Sequence, residues 1–139
     1  MESALVLSDE SRTLGGILLI AFVTIETGGL YLVKLVRGQQ PATAFQLGFA
    51  RAGHAHAGVL VLLALVCQVF ADATTQTGVF DWLSRSGVAV AAILMPAGFF
   101  FSSMGAGREQ PNRLIGLVYA GALLLAAGVS SLGLGLLLS

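Results

Sequence analysis

Charge is scarce in this sequence. Seven Lys and Arg face seven Asp and Glu across 139 residues, for a formal net charge of zero. Only 10% of the chain is charged and 56% is hydrophobic, whereas soluble domains carry about 25% charged residues. A soluble fold of this length cannot hide so much apolar surface from water. No basic face is available for nucleic acid or an acidic polymer either. Cysteine is nearly absent as well: the lone Cys67 excludes an intrachain disulfide and any CxxC metal or redox motif. HExxH, a phosphate-binding loop and a nucleophile–base pair are all missing, so an enzyme is the function class least supported. The opening MESALVLSDESRT has no basic region, and no A-x-A site closes the apolar stretch after it. The first apolar segment is therefore expected to stay in the membrane as an anchor.

What the sequence has instead is long apolar runs. A bilayer core about 30 Å thick takes roughly 20 apolar residues in a helix. Residues 14–36, 52–71, 87–104 and 114–138 meet that requirement. Barrel strands would alternate in polarity over about ten residues, and these runs do not. The expectation is an all-α polytopic membrane protein, a four-helix transmembrane bundle forming one domain over residues 1–139. Eighteen glycines suit membrane helices that pack backbone against backbone.

The connections are short. ATAFQLGFA reads as a separate interfacial helix before the second span. Phe80 and Trp82 read as headgroup anchors in a loop over residues 72–86. Pro96 is expected to kink the third helix and free a carbonyl. Lys34, Arg37, Arg51, Arg108 and Arg113 flank two of the connections, against Arg12 and Arg85 on the other side. The positive-inside rule then puts the basic connections in the cytoplasm and both termini outside.

Glu26 carries the first functional signal, because a carboxylate at bilayer depth costs several kcal/mol unless it is neutralised, paired or hydrated. His54 and His56 carry the second, in RAGHAHAGVL. On a helix, residues two apart point about 200° apart, so both cannot face one metal unless the helix breaks there. The face of His54 continues through small and polar residues to Ala64 and Gln68, which predicts that His54 faces the bundle. The face of His56 is bulky, which points His56 towards headgroups, lipid or a partner. Ala91, Met95, Gly98 and Ser102 form a small face on the third helix, with Phe99, Phe100 and Phe101 turned mostly to lipid. Asn112, Gly116, Tyr119, Leu123, Ala126, Ser130 and Gly133 form the corresponding face of the fourth. Cys67 reads as a small apolar surface residue.

Counting from the basic residues, Glu26, His54, Ser102 and Tyr119 are expected on inward faces, in one buried polar layer of the cytoplasmic half. Such a layer suits three chemistries. Glu26 and His54, with His56 as a lesser candidate, are ligands for a transition metal; Met95 and Met104 are soft extras. His54 is an axial ligand for haem, needing a second from elsewhere. Glu26, His54 and Tyr119 also form a proton relay that needs no cofactor. The plain structural alternative is a set of interhelical hydrogen bonds that fix helix register.

The Glu of the first span, GHAHAGVL, MPAGFFFSS and PNRLIGLVYAGALLLAAG together resemble a family of uncharacterised four-helix membrane proteins of actinobacterial type. That resemblance covers nearly the whole chain and implies a bacterial cytoplasmic membrane, without an established activity. GHAHAG is also similar, over a short stretch, to the His-bearing helices of haem-copper oxidases and nitric oxide reductases. The leading expectation is a membrane protein with a Glu26/His54 pocket for a metal, haem or small ligand. It would serve a larger membrane complex or a homo-oligomer. A purely structural accessory subunit and a proton-coupled small transporter are the alternatives.

Overall fold

The structure, a computed structural model, describes residues 6–139. All its regular elements are helical. Helix α1 spans Asp9–Val36 and α2 spans Ala44–Ala71. Helix α3 spans Gly78–Ser103 and α4 spans Arg113–Leu138. All four are long and apolar enough to cross a membrane, as expected of a multi-pass membrane protein. They run alternately up and down. The first residues of α1 and the last of α4 therefore share one end with the α2–α3 connection (the termini end). The other two connections share the loop end.

Local chemistry sets the helix boundaries. Ser8 caps α1 by accepting from the Ser11 N–H, with Asp9 and Glu10 in the first turn, where the helix dipole favours negative charge. Gly38, with φ of 67°, sits just past the end of α1 in a conformation that favours glycine. Helix α2 opens on a reciprocal capping box: Thr43 Oγ1 accepts from the Gln46 N–H, and Gln46 Oε1 accepts from the Thr43 N–H. This cap corrects the expectation of a separate interfacial helix. ATAFQLGFA forms the first turns of α2 itself, because a good cap lies at Thr43 and nothing in the segment breaks the helix.

The third span also starts earlier than expected. Phe80 and Trp82 lie in the first turns of α3 rather than in a loop, both well exposed. Within α3, Leu83–Gly87 forms a π-turn. Helix α3 continues through Pro96 as α-helix from Val88 to Ser103, and its π-helical irregularity lies earlier, at Leu83–Gly87. Helix α4 begins with a 3₁₀ turn, Arg113–Ile115, capped by Asn112.

The helices do not contribute equally to the packing. Helix α2 packs on α3 and α3 on α4, while α1 rests chiefly on α2 and has no substantial contact with α4. The α3–α4 contact is the tightest. A Cβ on Gly98 would lie 2.6 Å from the Val118 nitrogen, one on Gly121 2.5 Å from Met95 Cγ, and one on Gly128 2.9 Å from the Leu83 oxygen. Small residues let membrane helices approach this closely. The buried face of α4 is therefore Gly121, Gly128, Ser131, Leu132 and Gly135. The expected face is a correction: Tyr119 is 66% and Leu123 73% exposed. Small residues occupy both sides of α4, so smallness alone did not identify its inner face. Cys67 is also a correction, being buried in the core between helices rather than at the surface.

Candidate functional site

Most polar side chains within the spans close locally. Thr24 Oγ1 donates to the Ala21 carbonyl at 2.6 Å, and Thr27 Oγ1 to the Thr24 carbonyl at 2.6 Å. Such bonds to a preceding turn satisfy a hydroxyl in apolar surroundings. Glu26 has no comparable escape, since a carboxylate only accepts and the preceding carbonyls offer nothing to accept from. This corrects the expected inward-facing Glu26: its side chain is exposed and makes no hydrogen bond or ion pair among the described residues. It lies ten residues before Val36, or ~15 Å from the loop end of α1 at 1.5 Å per residue.

His54 lies at the same depth, ten residues after Ala44. It is half-buried against a glycine pair of α1. A Cβ on Gly29 would sit 3.3 Å from His54 Cε1 and 3.4 Å from Nε2, and one on Gly28 3.6 Å from Nδ1. Gly28 and Gly29 are thus the seat of the imidazole, a role that their sequence position alone did not signal. Glu26 is one turn before Gly29, and side chains three apart on a helix have Cβ positions about 5–6 Å apart. Glu26 and His54 therefore belong to one edge of the α1–α2 contact. No direct bond joins them.

Ser102 and Tyr119 do not join that edge, which corrects the expected four-residue layer. Ser102 is fully buried, but it is the second-last residue of α3, near the level where Gln46 Nε2 donates to the Ser103 and Gly105 carbonyls at 2.9 and 2.7 Å. Its carbonyl accepts from the Asn112 N–H at 2.9 Å, so it closes the α3–α4 turn. Tyr119 points away from the other helices. The expected layer takes Arg51 as a span boundary. Helix α2 actually starts at Ala44, so His54 lies deeper than that boundary allows.

His56 is a further correction. Helix α2 is unbroken through GHAHAG, so the two histidines do face opposite ways, but His56 faces α3 and not lipid. Its Nδ1 is 2.7 Å from the Ala52 carbonyl, and its ring lies 5.0 Å from that of Phe99. Phe99 also meets Phe49 edge-on at 5.4 Å, and Phe100 lies against Gly53. Two of the three α3 phenylalanines thus fill the α2–α3 contact. No group of three or more His, Cys, Asp or Glu side chains converges to hold a metal among the described residues.

The densest polar cluster lies at the termini end. Arg85 Nη1 donates to Asp72 Oδ1 at 2.6 Å and to Ser11 Oγ at 2.8 Å, and Nε donates to Asp81 Oδ1 at 2.8 Å. The Ser8 N–H donates to Asp72 Oδ2 at 2.9 Å. Burial pushes the Asp72 carboxyl up, but the bonds from Arg85, Ser8 and Ser11 outweigh it and hold its pKa at about 2. The π-turn contributes too. The Arg85 carbonyl accepts from Gln68 Nε2 at 2.8 Å, and Ser84 Oγ joins Gln76 and Ser131 at 2.7 and 3.1 Å. This network ties α1, α2, α3 and α4 together. Arg85 between two carboxylates is the signal that the sequence offers for this cluster; a count of charges for orientation does not reveal it.

The chain matches no family model, no curated protein and no solved structure. The functional reading therefore rests on the site's own geometry.

Proposed function

We propose that this protein is an accessory subunit of a larger membrane assembly, whose neighbouring chain covers α1 and completes a Glu26–His54 binding edge. The carrying observation is Glu26, exposed near mid-span on a helix with one principal neighbour. A lipid-facing carboxylate costs several kcal/mol, so protein or a ligand is expected to cover it. Glu26 also lies in an exposed stripe with Leu19, Val23 and Leu30, at spacings that repeat along one face of a helix. The edge offers a carboxylate and an imidazole, two ligands of the types that a transition metal accepts. A metal, a haem or a small polar ligand held there takes its remaining contacts from the neighbour, which is either a different subunit or a second copy. The basic residues of the connections fit an orientation with both termini outside, and the family resemblance implies a bacterial cytoplasmic membrane as the setting.

The experiment is photo-cross-linking in native membranes from a benzophenone attached to single cysteines on a Cys67→Ala background, which needs no cysteine on the neighbour. Val23→Cys and Leu30→Cys should each give a cross-linked species, and Leu137→Cys on α4 should give none. Optical spectra and metal analysis of the assembly identify the ligand. A Soret band marks haem, and stoichiometric metal without one marks a mononuclear site. No cross-link from either α1 position would remove the covering neighbour and the proposal with it.

A further inference from the structure

Because α1 leans chiefly on α2, it leaves an open cleft towards α3. Near the termini end the cleft holds a cavity of about 540 Å³, with Gln68, Arg85 and Trp82 among its walls. Leu14, Ile17, Trp82 and Ser86 also line a second cavity of about 440 Å³ that continues along the spans between α1 and α3. The wall of this second part is almost wholly apolar, with Leu18, Ala89 and Ile93 in it. The cleft therefore has a polar head region and an apolar channel below it.

Gln68 gives the head region its chemistry. It is 2% exposed, and its Nε2 donates to the Ala64 and Arg85 carbonyls. Its Oε1 is buried without a hydrogen-bond partner. A buried acceptor left unmade costs about 1–3 kcal/mol, and a bound donor recovers it. Arg85 commits Nε and Nη1 to Asp81, Asp72 and Ser11, while Nη2 makes no bond among the described residues. Among the described residues, the mouth carries the carboxylates Asp9, Glu10 and Asp81 against Arg85, which is itself shared with Asp72, while Arg12 pairs with Asp9. The excess negative charge repels an anionic head and attracts a cationic one. Gln68 is also one turn from the end of α2, which is headgroup depth.

We propose that this cleft is a specific site for a phospholipid with a primary ammonium head, such as phosphatidylethanolamine. The ammonium donates to Gln68 Oε1 and meets the Glu10 carboxylate at the rim. The phosphate accepts from Arg85 Nη2, and one acyl chain follows the channel past Ile17 and Ile93. The head region is at the opposite end from the Glu26–His54 edge, the channel runs towards Ile25 and Ala57, and the site uses neither Glu26 nor His54, so it stands or falls separately.

The test is to reconstitute the full chain in nanodiscs with equal phosphatidylethanolamine, phosphatidylcholine and phosphatidylglycerol of one acyl composition. Retained lipid is then counted by native mass spectrometry after mild detergent extraction. Phosphatidylethanolamine should be retained about fivefold over either other lipid, since only its ammonium carries N–H donors for a charge-assisted bond. Glu10→Gln, an exposed change that spares the fold, should bring that preference close to even. Ile17→Trp, which fills the channel without touching the head region, should lower retention of all three lipids. Equal retention of the ethanolamine and choline lipids by the unaltered protein would overturn the proposal. So would retention unaffected by Ile17→Trp, or a second copy of the chain held in place of lipid.

Discussion

The two polar regions of this molecule follow opposite rules. At the termini end, Arg85, Asp72, Asp81, Ser8, Ser11, Ser84, Gln76 and Ser131 bond to one another across all four helices, leaving Gln68 Oε1 and Arg85 Nη2 open towards the cleft. At the Glu26–His54 edge, the two ionisable groups lie at one depth with no bond to each other. Closed networks hold a fold together, and open polar groups at bilayer depth call for something outside the chain. The contrast also separates the helices. Helix α3 is welded to its neighbours, while α1 keeps most of its surface free.

The largest expected effect tests the closed region. Arg85→Ala leaves Asp72, 8% exposed at its side chain, as an unpaired carboxylate beneath Ser8. Removing one partner of a buried ion pair costs about 3–5 kcal/mol, so unfolding in detergent should shift by that order. Adding Asp72→Asn should recover part of the loss. No shift for Arg85→Ala would show that the cluster is incidental to stability. Next in size is the α3–α4 weld. Gly98→Ala places a Cβ against the Val118 nitrogen, where overpacking costs about 1–3 kcal/mol. Gly133→Ala, on the open side of α4 with nothing within 4 Å, should be neutral or slightly stabilising in the same assay. Equal effects at the two glycines would contradict the assignment of α4's inner face.

Acid offers a smaller and more specific probe of the same region. The Asp72 pKa is lowered from 3.8 to about 2, so the folded state favours its ionised form. Its contribution is fully present above the unfolded value and is lost as pH falls through the folded one. Stability should therefore drop between about pH 4 and pH 2, and Asp72→Asn should flatten the part of that slope due to this group. An unchanged acid slope in Asp72→Asn would mean that Asp72 is not held by the Arg85 clamp.

The sequence made the spans legible because hydrophobic length is a one-dimensional property. The 114–138 run matches α4 to within a residue, and Ala91, Met95, Gly98 and Ser102 are all buried on α3 as their small face predicts. Depth was harder to read. Arg51 looks like a boundary charge, yet Thr43 caps the helix eight residues earlier, and that offset dissolved the expected four-residue layer. Helix faces were harder still where small residues lie on both sides. In α4 the useful signal was Gly121, Gly128 and Gly135 at a seven-residue spacing, since that interval keeps one face against a neighbour. The π-turn at Leu83–Gly87 left no trace in hydropathy. The carbonyl it presents to Gln68 became visible only in three dimensions.

The smallest effect on stability bears most on function. Glu26→Gln keeps the volume of the side chain and removes its ionisable charge. Nothing among the described residues bonds to Glu26, so the purified monomer should unfold as before, within the ~0.6 kcal/mol typical of one membrane interhelical hydrogen bond. His56→Ala should behave differently. It strips the Ala52 contact and the packing on Phe99, costing stability while leaving any bound ligand in place. His54→Ala opens a gap over Gly28 and Gly29 and should cost stability and ligand together. If the edge binds, Glu26→Gln loses ligand, or its cross-links through Val23→Cys, with no change in monomer stability. If the edge is mere scaffolding, Glu26→Gln is silent in every assay and His54→Ala is an ordinary buried truncation. Measuring bound metal or haem, cross-linking yield and thermal stability on the three variants separates these outcomes. Ligand loss in His56→Ala equal to that in His54→Ala would show that the two histidines act as one site, and that their opposite faces on α2 do not govern what the protein binds.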